Sequence, residues 1–355
     1  MTQDINCLVQ LTNPMYQTDC FAGGGLNSHV FAEIISLANL FLAWQEFKQG
    51  KTKKLDVRQF EFNLEDNLFE LHSELVLKTY RHSDYTAFYI TDPKLRHIHK
   101  ACVRDRVLHH AVFRILYPIF DKVFIFDSYS CRVGKGTHQA VKRLKQFCQK
   151  ASRNNFQNLY ALKCDVKRFF DSVDHDVLLE IIKRKVSDEE TLWLVGLIIA
   201  SYQTVSNKGL PIGNVTSQLF ANIYLNELDQ FIKHNLKVEC YLRYCDDFII
   251  LVEDPGVLLS QLEKIKNFLG DRLGLTIHPN KVSIRTYRQG IDFLGYIVRP
   301  YCVNLRTKTK NRLISRINAE NSASYLGLLR HCNGRKIEKK VLAKLSTAKV
   351  QFKAV

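Results

Sequence analysis

Two adjacent carboxylates, Asp246 and Asp247, stand between two runs of strand-forming residues. Residues 240–243 precede them and residues 248–252 follow, and both runs are rich in aromatic and β-branched side chains. The pattern predicts a β-hairpin with the acids at its turn. Like charges this close raise each other's pKa unless a cation lies beside them, and Mg²⁺ suits carboxylate oxygen and substrate phosphates. An Asp-Asp pair taken alone is typical of a solvated turn, so the chemical interpretation depends on the rest of the chain.

A third acid, Asp165, ends another predicted strand, which extends from residue 159 to residue 166. A basic pair and two phenylalanines, Phe169 and Phe170, follow it. Phosphoryl transfer by two metal ions needs carboxylates that bridge ions about 3.5–4 Å apart. Alone, Asp165 is typical of a capping residue, but together with the hairpin acids it predicts a two-metal site.

The composition favours a polyanionic partner. The 355 residues include 51 Lys and Arg against 35 Asp and Glu, a net charge of +16, which points to nucleic acid or an anionic membrane. The longest apolar run, residues 192–200, is far shorter than the roughly 20 residues of a membrane helix. No secretory signal is evident, and the 10 cysteines form no CxxC pair. We therefore expect nucleic acid rather than membrane, free thiols and a cytoplasmic location.

Periodicity predicts alternating helices and strands. The predicted helices cover residues 28–47, 64–75, 105–117, 189–203, 217–234 and 256–272, and a further helix follows Asp174. The predicted strands, besides the hairpin and its neighbour, lie at residues 88–90 and near residues 275–285 and 291–298. Residues 301–355 carry 13 basic against 2 acidic residues, which favours a helical region that grips nucleic acid over a merely solvated basic face.

Taken in order, these motifs resemble those of a reverse transcriptase over about residues 30–335. Each motif alone is weak or moderate, and the ordered set is specific. The matching segments are Lys94-Leu95-Arg96-His97-Ile98, residues 128–136, Asp165-x4-Phe170, Tyr244-Cys245-Asp246-Asp247, Lys281 in His278-Pro279-Asn280-Lys281, and Asp292-Phe293-Leu294-Gly295-Tyr296.

The resemblance implies an α+β fold shaped as a right hand. Residues 1–85 would form an N-terminal helical extension and residues 86–160 the fingers. Residues 161–300 would form a palm with an antiparallel sheet, interrupted at 175–210 by a further part of the fingers. Residues 301–355 would form a short basic helical thumb.

The resemblance also implies the catalytic residues. Asp165 and Asp246 would bind two Mg²⁺ ions, with Asp247 nearby and the Val166 carbonyl as an added ligand. Lys281 would protonate the departing pyrophosphate, although an exposed or phosphate-contacting lysine is an equal alternative.

The substrate contacts follow from the same family. Lys94 and Arg96 would neutralise the triphosphate of the incoming dNTP, and Phe170 would pack against the sugar and exclude a 2′-hydroxyl. The remaining residues of the dNTP pocket would be Phe169, Ile212, Gly213 and Gln218. The template and primer would contact Arg132, Lys135, Gly295 and Tyr296.

Residues 212–218 read Ile-Gly-Asn-Val-Thr-Ser-Gln, where most reverse transcriptases have Gln-Gly-x3-Ser-Pro. This departure resembles the enzymes of diversity-generating retroelements, which misincorporate opposite template adenines during mutagenic retrohoming. Their partners are a template RNA, the RNA/DNA hybrid, dNTPs and a small basic accessory protein oligomer. For Ile212 itself, simple filling of a pocket is the alternative.

Three other functions remain open. An antiphage-defence or other group II-like bacterial reverse transcriptase would use the same chemistry. A catalytically dead RNA-binding scaffold would not need all three carboxylates, and this chain has all three. A nuclease would use the same acids without the ordered motifs.

Overall fold

The structure is a computed structural model, and it describes residues 29–91 and 95–352. Within this part of the chain, helices alternate with short strands. The helices are α1 Val30–Ile35, α2 Leu37–Lys48, α3 Leu55–Phe62, α4 Leu64–Val76, α5 Val103–Asp121, α6 Thr137–Ala151, α7 Phe169–Ser172, α8 His175–Lys183, α9 Glu189–Ala200, α10 Val215–Gln230, α11 Pro255–Leu273, α12 Thr307–Arg316, α13 Ser322–Leu329 and α14 Arg335–Phe352.

The described strands form three antiparallel sheets. The strands are β1 Thr86–Ile90, β2 Arg96–Lys100, β3 Tyr160–Asp165, β4 Tyr241–Tyr244, β5 Asp247–Val252, β6 Ser283–Thr286, β7 Ile291–Phe293, β8 Tyr296–Val298 and β9 Val303–Leu305. The largest sheet has the order β4-β5-β3-β6, β7-β8-β9 form a second sheet, and β1-β2 form a separate hairpin. The predicted α+β class is confirmed.

The four-stranded sheet is buried on both faces, which explains why its central strands are almost continuously apolar. Alternate residues of β3 and β5 enter two different cores. Leu162 and Phe248 belong to the core that contains α1–α5 and α8–α11. Ala161 and Ile249 belong to the core that contains α6, β7–β9 and the C-terminal helices. The sheet is therefore held rigidly from two sides, which fixes the position of its ends.

The predicted helix over residues 28–47 is in fact two helices. Ser36 leaves the helical region with φ −53° and ψ 139°, and its Oγ accepts a hydrogen bond from the Asn39 N–H at 3.2 Å. A serine side chain favours this capping geometry over a helix interior. The break lets α1 turn towards α9, where the Phe31 N–H donates to Asp188 Oδ2 at 2.7 Å.

Two predicted strands also need correction. Pro279 opens a 3₁₀ turn, Pro279–Lys281, so only the end of the stretch 275–285 becomes β6. The stretch 291–298 is a tight hairpin, because Leu294 and Gly295 have φ of 49° and 87°. None of the described helices is long and apolar enough to cross a membrane.

Candidate active site

The three predicted acids meet at one end of the four-stranded sheet. Strands β4 and β5 are joined by the two-residue turn Cys245-Asp246, and Cys245 has a φ of 55°. Asp247 pairs directly with Asp165 in the register of β3 and β5. The Val166 N–H donates to the Asp246 carbonyl at 3.2 Å, which ties the turn to the end of β3.

A buried arginine fixes the turn from behind. Arg243 forms a bidentate ion pair with Asp229, at 2.8 Å from Nε to Oδ1 and 2.6 Å from Nη2 to Oδ2. Its other N–H groups donate to the Cys245 carbonyl at 3.0 Å, to Asn222 at 3.3 Å and to Ser128 at 3.2 Å. All five donors of the guanidinium are thus used, as a buried arginine requires. Sequence reasoning missed this residue, although a charge within an apolar strand was a usable signal.

Two lysines lie beside the acids. Lys281 Nζ is 2.6 Å from Asp165 Oδ1, and Lys163 Nζ is 3.7 Å from Asp247 Oδ2. The structure therefore brings Lys281 to the predicted site. Lys163 was missed, although its position two residues before Asp165 on a strand places both side chains on one face.

Burial and mutual repulsion destabilise the charged form of the hairpin acids. Burial raises the pKa of Asp246, and the nearby Asp165 carboxylate raises it further. Burial also raises the pKa of Asp247 to about 6, against the opposing effect of Lys163. A cation between these groups would relieve the repulsion.

The donor set suits Mg²⁺, which is usually held by one or two carboxylates together with substrate phosphates. Asp165 and Asp246 supply the hard oxygen ligands for such a site. Within residues 29–91 and 95–352, the side chains form no group of three or more His, Cys, Asp or Glu that could hold a metal ion. The fit of the metal thus rests on two carboxylates that interact electrostatically, with substrate oxygens to complete the coordination.

A cavity of about 750 Å³ opens at Asp165 and Asp247 and extends towards β7–β9 and α12. Asp292 is the third acid in its wall. The basic side chains in the wall are Arg96, Lys163, Lys281, Arg285, Arg299, Arg306, Lys308 and Arg312. Because cations predominate, the cavity suits a phosphate-rich ligand.

The structure separates the two phenylalanines that follow β3. Phe169 is only 2% exposed and packs against Tyr224, with ring centroids 6.3 Å apart. The prediction that Phe169 contacts the dNTP is therefore corrected: it is a core residue. Phe170 is half-buried beside it, and Arg96 lines the cavity. Lys94 lies outside the described residues.

The loop at residues 212–213 lies against strand β2, which also carries Arg96. The Ile212 carbonyl accepts a hydrogen bond from the His99 N–H at 2.9 Å. Gly213 has a φ of 125°, and a Cβ there would lie 2.9 Å from Ile98 Cγ2. Only glycine allows this close approach without strain. Gln218 is half-buried near the start of α10.

Two residues predicted to contact nucleic acid, Arg132 and Lys135, instead interact with neighbouring parts of the protein. The Arg132 side chain is only 7% exposed and pairs with Asp121 at 2.7 Å, so its predicted contact with template or primer is corrected. It also donates to the Ile125 and Ser128 carbonyls. Lys135 Nζ lies 3.3 Å from the Phe126 ring centroid and donates to the Phe126 carbonyl.

The hairpin of β7 and β8 meets the cavity through its turn. Tyr296 is 1% exposed, and its hydroxyl donates to the Leu328 carbonyl at 3.1 Å, so its predicted primer contact is also corrected. Gly295 at the turn lines the cavity. The Arg306 guanidinium pairs with Asp292 on the same hairpin.

Strand-end carboxylates beside a large basic cavity are typical of a nucleotidyltransferase. Residues 91–298 match the family described as "Reverse transcriptase (RNA-dependent DNA polymerase)". The chain therefore belongs to the reverse transcriptase family, and its enzyme class is RNA-directed DNA polymerase.

Named relatives are distant. Protein YkfC of Escherichia coli K12 is 25% identical over 266 residues, which is 64% of this chain and 69% of that protein. The group II intron-encoded protein LtrA of Lactococcus lactis is 25% identical over 276 residues, which is 58% of this chain and 45% of that protein. The chain thus spans less than half the length of LtrA.

A solved structure of apo telomerase from Candida tropicalis is 15% identical to this chain, with a TM-score of 0.47. The match covers 67% of this chain and 59% of the telomerase chain.

Proposed function

We propose that this chain is a group II intron-like reverse transcriptase that copies an RNA template into cDNA. The observation that carries the proposal is the convergence of Asp165, Asp246 and Asp247 at one sheet end beside the basic cavity. The family match and the group II intron-encoded relatives support the same conclusion.

Asp165 and Asp246 would hold two Mg²⁺ ions, with the Val166 carbonyl as an added ligand and Asp247 beside them. Bound there, the ions would supply activation of the attacking 3′-hydroxyl and stabilisation of the charge on the departing pyrophosphate. The Arg243 contact with the Cys245 carbonyl holds the turn that presents Asp246.

Other side chains of the cavity would position the substrate. Arg96 would neutralise the triphosphate, and Phe170 would pack against the sugar. Lys281, whose ammonium is already at the acids, would deliver a proton to the pyrophosphate. Ile212 and Gly213 would line the nascent base pair, because they lie against the strand that carries Arg96.

The right-hand organisation gives the hybrid its path. Residues 86–160 and 175–210 would act as fingers, 161–300 as the palm and 301–355 as the thumb. The RNA/DNA hybrid would follow the basic side chains from the acids to α12, recognised through its backbone and A-form shape.

We further propose that the enzyme belongs to a diversity-generating retroelement. The support is the aliphatic residue Ile212 within Ile-Gly-Asn-Val-Thr-Ser-Gln, in place of the usual glutamine. In that role it would act with a small basic accessory protein oligomer and misincorporate opposite template adenines.

Primer extension on an RNA template with Mg²⁺ tests the catalytic assignment. Asp246→Asn is expected to lower the extension rate by more than about 10³-fold, because the carboxylates act as a unit. The matched control is Asp254→Asn, an acid that caps α11 away from the sheet end. Equilibrium binding of the hybrid should survive both changes. Extension by Asp246→Asn at the wild-type rate would refute the assignment.

A further inference from the structure

A row of aromatic rings crosses one face of the β1–β2 hairpin and continues onto the segment after α9. Tyr89 and His97 are cross-strand partners, and their rings stack with centroids 4.4 Å apart and an interplanar angle of 10°. His97 contacts His99 at 4.2 Å, and His99 contacts Tyr202 at 4.6 Å. We call Tyr89, His97, His99 and Tyr202 the aromatic row.

The row is not explained by core formation. Tyr89 is 65% exposed, and His97 is exposed as well. Among the described residues, β1 and β2 pair only with each other. A two-stranded hairpin gains little stability by ordering exposed rings, so their open faces suit a ligand.

The opposite face of the same hairpin belongs to the candidate active site. Side chains alternate between the faces of a strand, so Arg96 and Ile98 point away from the row. Arg96 lines the cavity, and Ile98 lies against Gly213. The His99 N–H is bonded to the Ile212 carbonyl. The row therefore begins beside the loop proposed to line the nascent base pair and leads outwards to Tyr89.

We propose that the aromatic row stacks the bases of single-stranded template RNA ahead of the base being copied. Stacking on aromatic rings is independent of sequence, because every base has a π-face. A template strand must pass whatever its sequence, and the hairpin links the cavity, through Arg96, to the aromatic row on its other face. The proposal rests on the proposed reverse transcription and adds a binding site for the uncopied strand.

The charge state of the row agrees with stacking. Burial lowers the pKa of His99, and His97 lowers it further, while Asp171 has the opposite effect. The net direction leaves the His99 imidazole neutral near pH 7 and so able to stack as a π-surface. The net charge of +16 draws the phosphates of the strand to the protein as a whole.

Equilibrium binding to two hybrids with the same duplex tests the proposal. One hybrid is blunt, and the other has a single-stranded 5′ RNA extension of about six nucleotides, within the usual size of such sites. Fluorescence anisotropy without dNTP or metal should show the extension improving wild-type affinity on the order of tenfold. Tyr89→Ala and His97→Ala should each remove most of this gain, and Tyr89→Phe should keep it.

Phe156→Ala is the matched control, since Phe156 is 86% exposed and outside the row. An equal gain in wild type, Tyr89→Ala and His97→Ala would overturn the proposal. The proposal would also be overturned if Tyr89→Ala and His97→Ala weakened binding of the blunt hybrid as much as binding of the extended hybrid. No gain in wild type would overturn it too. Primer extension by wild type is measured separately, so a failure of reverse transcription is distinguishable from a failure of template stacking.

Discussion

At the scale of single residues, Ile212 is the position where the proposed subtype makes a physical difference. Its backbone carbonyl is bonded to the His99 N–H, so the loop is held in place whatever the side chain. Its side chain offers no hydrogen bond to a base pair, whereas a glutamine amide offers a donor and an acceptor. If Ile212 lines the nascent base pair as proposed, a pocket without that amide would check base-pair geometry less strictly.

Ile212→Gln should therefore lower misincorporation opposite template adenine, by roughly fivefold for one added hydrogen bond of about 1 kcal/mol. The measurement is sequencing of cDNA made from a defined RNA, with errors scored by template base. Ile212→Val is the control, because it stays apolar and should leave the error spectrum unchanged. An unchanged adenine error rate in Ile212→Gln would contradict the role of this residue.

The sequence predicted which residue types gather at the site better than it predicted where each side chain points. Asp165 and the hairpin acids were identified because each acid ends an apolar strand, and strand pairing then brings them together. Phe169 and Tyr296 were misassigned, since both are buried, whereas Phe170 is only half-buried and Gly295 lines the cavity. A motif fixes the spacing of residues, but packing decides which of two neighbours reaches a ligand.

At the scale of elements, Asp188 joins the N-terminal helices to the rest of the protein. It caps α9 through the Glu190 N–H at 3.1 Å and also accepts from the Phe31 N–H of α1 at 2.7 Å. Asp254 caps α11 through the Gly256 N–H alone. Asp188 also accepts from the Thr191 hydroxyl of α9 at 2.9 Å. It therefore makes two hydrogen bonds that Asp254 lacks, one within α9 and one from α1.

Asp188→Ala should lower the free energy of unfolding by about 1–2 kcal/mol, and Asp254→Ala by only about 1 kcal/mol. Urea denaturation measures both. Burial raises the pKa of Asp188, but its hydrogen bonds outweigh this effect and leave the pKa below the usual 3.8. Its stabilising effect is therefore complete above that value and is lost as the pH falls through the lowered pKa. Equal costs for the two variants at pH 7 would show that neither the bond from α1 nor the bond from the Thr191 hydroxyl adds to stability.

Helix boundaries illustrate what local sequence determines. The apolar stripe of residues 28–47 is continuous, so periodicity gave one helix, yet Ser36 divides it and directs α1 towards Asp188. The hydrogen bond from Phe31 to Asp188 joins residues that are 157 positions apart in the sequence. Nothing in the local sequence around either residue predicts it. The strands at 275–285 and 291–298 were shortened for a local reason, because Pro279 and Gly295 favour turns.

At the scale of the whole molecule, the four-stranded sheet separates two hydrophobic cores and presents its acidic end to the basic cavity. The basic side chains of the cavity come from β2, β3, the 3₁₀ turn before β6, β6 itself, the segments after β8 and β9, and α12, so no single motif predicted their arrangement. The excess of basic residues after residue 300 predicted a region that grips nucleic acid, and part of this region does line the cavity. Arg306, Lys308 and Arg312 are its representatives in the wall.

Because Lys and Arg side chains predominate in the cavity wall, they would contact the phosphates of a bound hybrid. The affinity for the hybrid should therefore depend steeply on salt concentration. Between about 50 and 200 mM salt the affinity is expected to fall on the order of 10³-fold, through release of counterions from the phosphates. Lys308→Gln should reduce the slope of log K against log salt by about 1, the contribution of one phosphate contact. Lys185 is an exposed lysine outside the cavity, so Lys185→Gln should leave the slope unchanged. Anisotropy titrations of an RNA/DNA hybrid across that range measure the slope. A flat salt response, or equal slopes for the two variants, would show that the hybrid is not held by the basic wall of the cavity.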